Sequence, residues 1–184
     1  MNKIKQNIKI NIHDATILNN PQKSLTTNEI KTLVEITRNG FGSEITEEDV
    51  YNHVVKSDQL YLIKEKGKII GFSSYDFLEY NNQHILYLIG IVVKSDEQKK
   101  GTFVDINNHA INQNGFDYLA MRTQNPVIYG ATKKIVKQIY PEVQEIPKHI
   151  KDIGSFVGIK HLKMKNFNVA NFVDRNTYDG CLYG

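Results

Sequence analysis

Only one cysteine, Cys181, occurs among the 184 residues, which excludes an internal disulfide framework and fits a reducing compartment. No apolar run approaches the ~20 residues of a membrane-spanning helix, and the first residues, MNKIKQNIKINIHD, are too polar for the apolar segment of a signal peptide. A soluble, cytoplasmic protein with no membrane partner is expected. No block of five or six like charges occurs and the formal net charge is only +3, so the clustered Lys and Arg of a nucleic-acid footprint are missing. The histidines, His13, His53, His84, His109, His149 and His161, show no i,i+4 pair, no HExxH and no companion cysteines, which argues against a metal. Neither Ser73-Ser74 nor Cys181 lies in a GxSxG elbow, and Gln98-Lys99-Lys100-Gly101 lacks the GxxxxGK[ST] of a nucleotide-binding loop. A hydrolase of that kind and an ATP-binding protein are therefore poor readings.

What is present is a composition of 40% hydrophobic and 10% aromatic residues, ordinary for one packed domain over 1–184. Its organising stretch is LYLIGIVVKSDEQKKGTFVDINNHA. Leu86 to Val93 is apolar and rich in β-branched residues, the pattern of a strand buried on both faces. After the polar run Lys94 to Gln98, Lys99, Lys100 and Gly101 stand where a helix begins, with Phe103, Ile106, Asn107, Ala110 and Ile111 as its inner face. A helix start leaves backbone N–H groups without partners, and such a corner suits a phosphate.

Ile8, Ile10 and Ile12 alternate with polar residues, predicting one half-buried strand ended by Asn19-Asn20-Pro21. Thr26 and Thr27 open a first helix that reaches Gly40 and Gly42, and Thr46-Glu47-Glu48-Asp49 opens a short second one. Gln59 to Lys66 and Lys68 to Tyr80 form a hairpin through Gly67, with Gly71 marking a bulge or a close backbone approach. Asn81-Asn82-Gln83 turns the chain into the organising strand. Phe116 to Arg122 reads as another buried strand, and Pro126 starts a helix expected to run to about Tyr140. Phe156 to Met164 and Val169 to Val173 read as strands, and 174–184 as a tail that packs back through Tyr178, Leu182 and Tyr183.

Gln98-Lys-Lys-Gly101-Thr-Phe103 after an apolar strand resembles the QxxGxG/A motif of the GNAT superfamily of acyl-CoA-dependent N-acyltransferases. The order of elements over about residues 8–170 is similar too. The resemblance implies an α/β fold with a mixed, largely antiparallel central sheet and helices on both faces. It implies acetyl-CoA (coenzyme A) as co-substrate, with pyrophosphate held by Gln98, Lys99, Lys100, Gly101, Thr102 and Phe103, and pantetheine facing Ile91, Val92 and Val93. Phe103 stands where that family has Gly or Ala. A ring turned into the core leaves its N–H for a ligand, whereas a ring turned to the loop blocks it.

Asn125, in Arg-Thr-Gln-Asn-Pro, resembles the Asn that opens a CoA-side helix in that family, and equally fits an Asx-type cap before Pro126. Tyr129, one turn further on, is the candidate acid for the leaving thiolate, although aromatics on helices more often simply pack. The family's strand glutamate has no counterpart, because Leu88 stands at the matching position; Glu79, His84 and Tyr87 lie nearby. The implied activity is transfer of an acetyl or short acyl group to a small-molecule or protein amine, by a monomer or homodimer. The alternative is a catalytically silent GNAT fold that binds acyl-CoA or a protein partner.

Overall fold

The computed structural model describes residues 5–10, 13–41, 44–142 and 145–175. The chain divides into two compact units, Met1–Glu79 with Gln83–Arg122, and Tyr80–Asn82 with Thr123–Gly184, where the sequence reads as one domain. The expected C-terminal tail lies outside the described residues from 176 onward.

The first unit is built on a six-stranded sheet of order β1-β2-β3-β4-β5-β6. Its opening is the first departure from expectation, because β1 (Lys5–Ile10) and β2 (His13–Asn19) form an antiparallel hairpin instead of one strand. The alternation of Ile8 and Ile10 gave the period, but no Gly or Asn-Gly marked the reversal. A capping box, with the Thr26 hydroxyl accepting from Glu29 N–H at 3.2 Å and Glu29 accepting from Thr26 N–H at 2.8 Å, starts α1 (Thr27–Phe41). A second box between Thr46 and Asp49 starts α2 (Glu47–Val50), which continues as a π turn over Tyr51–Val55.

β3 (Gln59–Glu65) and β4 (Lys68–Tyr80) form the expected hairpin, with a bulge where the register shifts between Ile63 and Lys64, opposite Gly71 and Ile69. Asn81 and Asn82 both take positive φ, 50° and 59°, the two-residue turn that matches strand twist, and lead into β5 (Gln83–Val93). α3 (Thr102–Asn114) crosses to β6 (Tyr118–Met121), which pairs parallel with β5. β6 is half-buried along its length and stands at the sheet edge, so it is not the doubly buried strand expected over 116–122.

The period of β3 separates two cores. Tyr61 and Ile63 join Ile17, Tyr75, Leu86, Leu88 and the α3 residues Ile106 and Ala110 on one side. Leu60 and Leu62 join Leu18, Phe72, Val92 and the α1 residues Leu33, Val34 and Ile36 on the other. Helices therefore cover both faces of the sheet, as the resemblance implied.

The second unit was less legible. α4 (Pro126–Thr132) stops well short of Tyr140, and the Thr132 hydroxyl there donates back to Ile128 O at 2.8 Å. The stretch read as a strand from Phe156 lies instead at the end of α5 (Lys148–Ser155), which runs on as a π turn to His161. Ile153 and Val157 are its buried side chains, four residues apart as on one helical face, with Ile146 buried just before it; the apolar run Phe156-Val157 obscured this spacing. β7 (Phe167–Asn168) and β8 (Val173–Asp174) make a two-residue ladder in place of the strand expected over 169–173. Phe167 and Phe172 stack with ring centres 6.0 Å apart. A Cβ at Gly154 would stand 2.5 Å from the Phe172 ring, and one at Gly158 2.8 Å from Phe167, so the two glycines admit the two rings.

Candidate functional site

The site grows from the C-terminal half of β5. The parallel ladder joins Ile85–Leu88 to Tyr118–Met121, and beyond Leu88 no further β6 partner occurs among the described residues. The facing of β5 also changes along its length. His84 O accepts from Asp117 N–H at 2.9 Å on the β6 side, whereas Lys94 N–H donates to Ile70 O at 2.9 Å on the β4 side. Residues an even number apart in an unbroken strand turn their polar groups the same way, so β5 contains one irregular step. Val92 O already lies on the β4 side, where a Cβ on Gly71 would come within 2.5 Å of it. Gly71 thus serves both readings made for it, bulge and close approach.

The consequence for the three expected pantetheine-facing residues is a division. Val92 buries its side chain among Leu33, Leu62 and Phe72 and turns its carbonyl to Gly71, so it is a wall of the core and not a ligand-facing group. Ile91 and Val93 alternate with it and turn their backbone groups away from β4, where the ladder with β6 has ended. Both side chains pack against the core on the α3 face.

The loop after β5 is shaped by its own side chains. A 3-10 turn over Ser95–Glu97 is followed by Gln98, whose Nε2–H donates back to Val93 O at 3.0 Å and ties the loop to the strand end. Lys99 and Gly101 take left-handed backbone conformations, φ 63° and 82°. Glycine accepts this freely, while Lys99 stores about 1–2 kcal/mol of strain, as is common in functional loops. Gly101 O then accepts from Val104 and Asp105 N–H, which starts α3 without a side-chain cap. The N–H groups of Thr102 and Phe103 belong to the first turn of α3, which also carries the Asp105 carboxylate, its Oδ2 3.8 Å from where a Cβ on Gly101 would stand.

Phe103 is packed against the core with Ile106 and Ala110, and Asn107 Nδ2–H holds its carbonyl at 2.7 Å. Its half-buried side chain packs on the core, which is the arrangement in which the departure from Gly or Ala leaves the amide for a ligand. Thr102 adds a hydroxyl that is buried and has no hydrogen-bond partner among the described residues. An orphaned buried donor beside uncapped amides fits an anionic group with several acceptor oxygens. Lys100, expected as a second phosphate cation, is instead drawn onto Glu97, with Nζ 2.6 Å from Oε2. Burial of this carboxyl in the loop carried no sequence signal, since Asp96-Glu97 reads as an ordinary polar turn.

Behind α3 a polar layer joins helix to sheet. Tyr61 Oη and His109 Nδ1 are 3.1 Å apart, and Tyr75 Oη donates to Asn107 Oδ1 at 3.1 Å. Burial pushes both phenols far above their ordinary range and lowers the His109 pKa.

The remaining candidates belong to other elements. Asn125 and Tyr129 are part of the second unit. Asn125 Oδ1 caps α4, accepting from Val127 N–H at 2.9 Å, as the capping alternative required. Tyr129 Oη donates to Pro141 O at 3.0 Å, and the Lys133 ammonium lies 5.2 Å over its ring. Among possible bases, Tyr87 is buried and Glu79 is exposed on β4. His84 is paired at the surface with Asp117, Nδ1 to Oδ2 3.7 Å. It stands about 16 Å of strand before Ile89, too far for direct proton transfer where the ladder opens. No group of three or more His, Cys, Asp or Glu placed to hold a metal occurs among the described residues. None of their helices is long and apolar enough to cross a membrane.

This architecture is the GNAT fold, the fold of known N-acetyltransferases. A ribosomal-protein-alanine N-acetyltransferase from Brucella melitensis biovar Abortus superposes with TM-score 0.53 at 11% identity, over 73% of this chain and 99% of that one. An aminoglycoside acetyltransferase from an uncultured soil metagenomic sample, in complex with sisomicin, gives 0.51 at 14% identity over 74% and 94%. AAC(6')-Iy in complex with the bisubstrate analogue CoA-S-monomethyl-acetylneamine gives 0.51 at 14% identity over 73% and 97%. No protein-family model matches the chain, and no curated protein matches it.

Proposed function

We propose that the protein is an N-acyltransferase that moves an acetyl or short acyl group from acyl-CoA to an amine. The observation that carries the reading is the conjunction at the end of β5: a ladder that stops at Leu88, followed by an uncapped helix end with the orphaned Thr102 hydroxyl. The Thr102 and Phe103 amides, with the loop from Gln98, would hold the pyrophosphate, and the backbone of Ile91 and Val93 would take the amides of the pantetheine arm as an added strand does. Bound acyl-CoA supplies an activated thioester; the chain's residues bind and orient it. Its solved neighbours are named for acceptors of different size, an aminoglycoside and a ribosomal-protein alanine, and this chain's acceptor is an amine of either kind.

Tyr129 is the proposed acid for the leaving thiolate, and that role requires its hydroxyl to exchange Pro141 O for the sulfur. Tyr129→Phe then lowers kcat about tenfold to a hundredfold with CoA affinity unchanged, measured by thiol release with a panel of amines. Unchanged kcat removes Tyr129 from the mechanism. A second reading, a silent fold that binds acyl-CoA without turnover, is favoured by Leu88 at the base position and by the engaged Tyr129 hydroxyl. Tight CoA binding with no thiol release from any amine in the panel would establish it.

A further inference from the structure

Glu97 is the residue least expected in a loop that receives an anion. The 3-10 turn Ser95–Glu97 turns its side chain inward until only 10% is exposed, and Lys100 Nζ meets Oε2 at 2.6 Å. The surroundings of Lys100 are acidic beyond this contact, because Glu65 and Asp96 also act on it. A carboxylate withdrawn from water repels a nearby phosphate with little screening, and leaving it unpaired is costly in itself.

We propose that Lys100 serves the anion site by cancelling the buried Glu97 charge, and not by gripping phosphate itself. This rests on the reading of the loop as the acyl-CoA pyrophosphate site. Lys100 is then a positioning residue acting through Glu97, and the direct grip falls to the Thr102 and Phe103 amides and the Thr102 hydroxyl. The two roles for Lys100 differ in one consequence. If it cancels Glu97, deleting both charges restores binding; if it grips phosphate, deleting both leaves the grip lost.

The test is a double-mutant cycle on the full chain, with CoA and uncharged pantetheine as probes in calorimetry. Lys100→Met weakens CoA about tenfold or more, Glu97→Gln leaves it equal or tighter, and the Glu97→Gln/Lys100→Met pair returns to within about threefold of wild type. Pantetheine affinity stays the same in all of them, which a mere loss of loop structure would not give. Should Lys100→Met fail to fold around its unpaired carboxylate, the double variant against wild type decides alone. A double variant about tenfold weaker than wild type overturns the inference. Wild-type protein that takes up no CoA overturns the loop reading, and this inference with it.

Discussion

Gly71→Ala reaches the site through packing alone. A Cβ on Gly71 would lie 2.5 Å from Val92 O and 3.0 Å from Val93 Cα, both backbone atoms that cannot rotate aside. Contact at about 3.5 Å therefore demands that β4 and β5 separate by roughly 1 Å at the place where β5 leaves the ladder. Overpacking of this kind costs about 1–3 kcal/mol. For a domain of this size each kcal/mol lowers Tm by about 2–4 °C, so a fall of about 2–12 °C is expected in thermal denaturation followed by circular dichroism. Gly90→Ala is the control on the same strand, because nothing lies within 4 Å of its Cβ, and its Tm should stay within about 2 °C of wild type. Equal melting temperatures for wild type and Gly71→Ala would refute the close approach, and with it the account of why Val92 faces β4 while Ile91 and Val93 do not.

Two further predictions concern pH. Burial raises the Glu29 pKa, but its hydrogen bonds from Thr26 outweigh this, with Lys5 and Lys64 adding to the lowering; the hydrogen bonds from Thr46 lower Asp49. A depressed carboxylate stabilises the fold above its unfolded pKa near 4, and that contribution is lost as pH falls through the lower folded value. Thr26→Ala should cost about 1 kcal/mol at pH 7, and in Thr26→Ala/Thr46→Ala the acid limb of the Tm–pH curve should be shallower than in wild type. For His109 the sign also follows from a lowered pKa: below about pH 6.5 the unfolded histidine takes a proton that the folded one refuses, so stability falls with acidification until the folded pKa is passed. His109→Gln should flatten the fall of Tm below about pH 6.5, and an unchanged slope would place the proton uptake elsewhere.

The sheet was legible wherever the pattern repeated. Gln59 to Tyr80 gave its hairpin through Gly67, and Leu86 to Val93 gave the organising strand β5, because alternation and β-branched content act locally. The facing of Val92 was hidden, since one irregular step inside β5 reverses backbone direction without altering composition. Glu97 was hidden for a similar reason: a carboxyl is withdrawn from water only by the fold of the turn around it. α5 was missed where Phe156-Val157 imitated a strand, although Pro147 and the spacing of Ile146, Ile150, Ile153 and Val157 carried a helical signal. Phe103 was resolved only by packing, which set its side chain against the core.

The central claim is that the β5–α3 corner binds acyl-CoA through its phosphates, and titration calorimetry of acetyl-CoA and CoA, paired with thermal denaturation, tests it most directly. At about a hundred times its Kd the ligand should stabilise the fold by about 2.7 kcal/mol, raising Tm by roughly 5–11 °C. Gly101→Glu should abolish both heat and shift, because it places a carboxylate at the helix start beside Asp105 on a backbone with φ 82°. No heat and an unmoved wild-type Tm at millimolar acetyl-CoA and CoA would contradict the account.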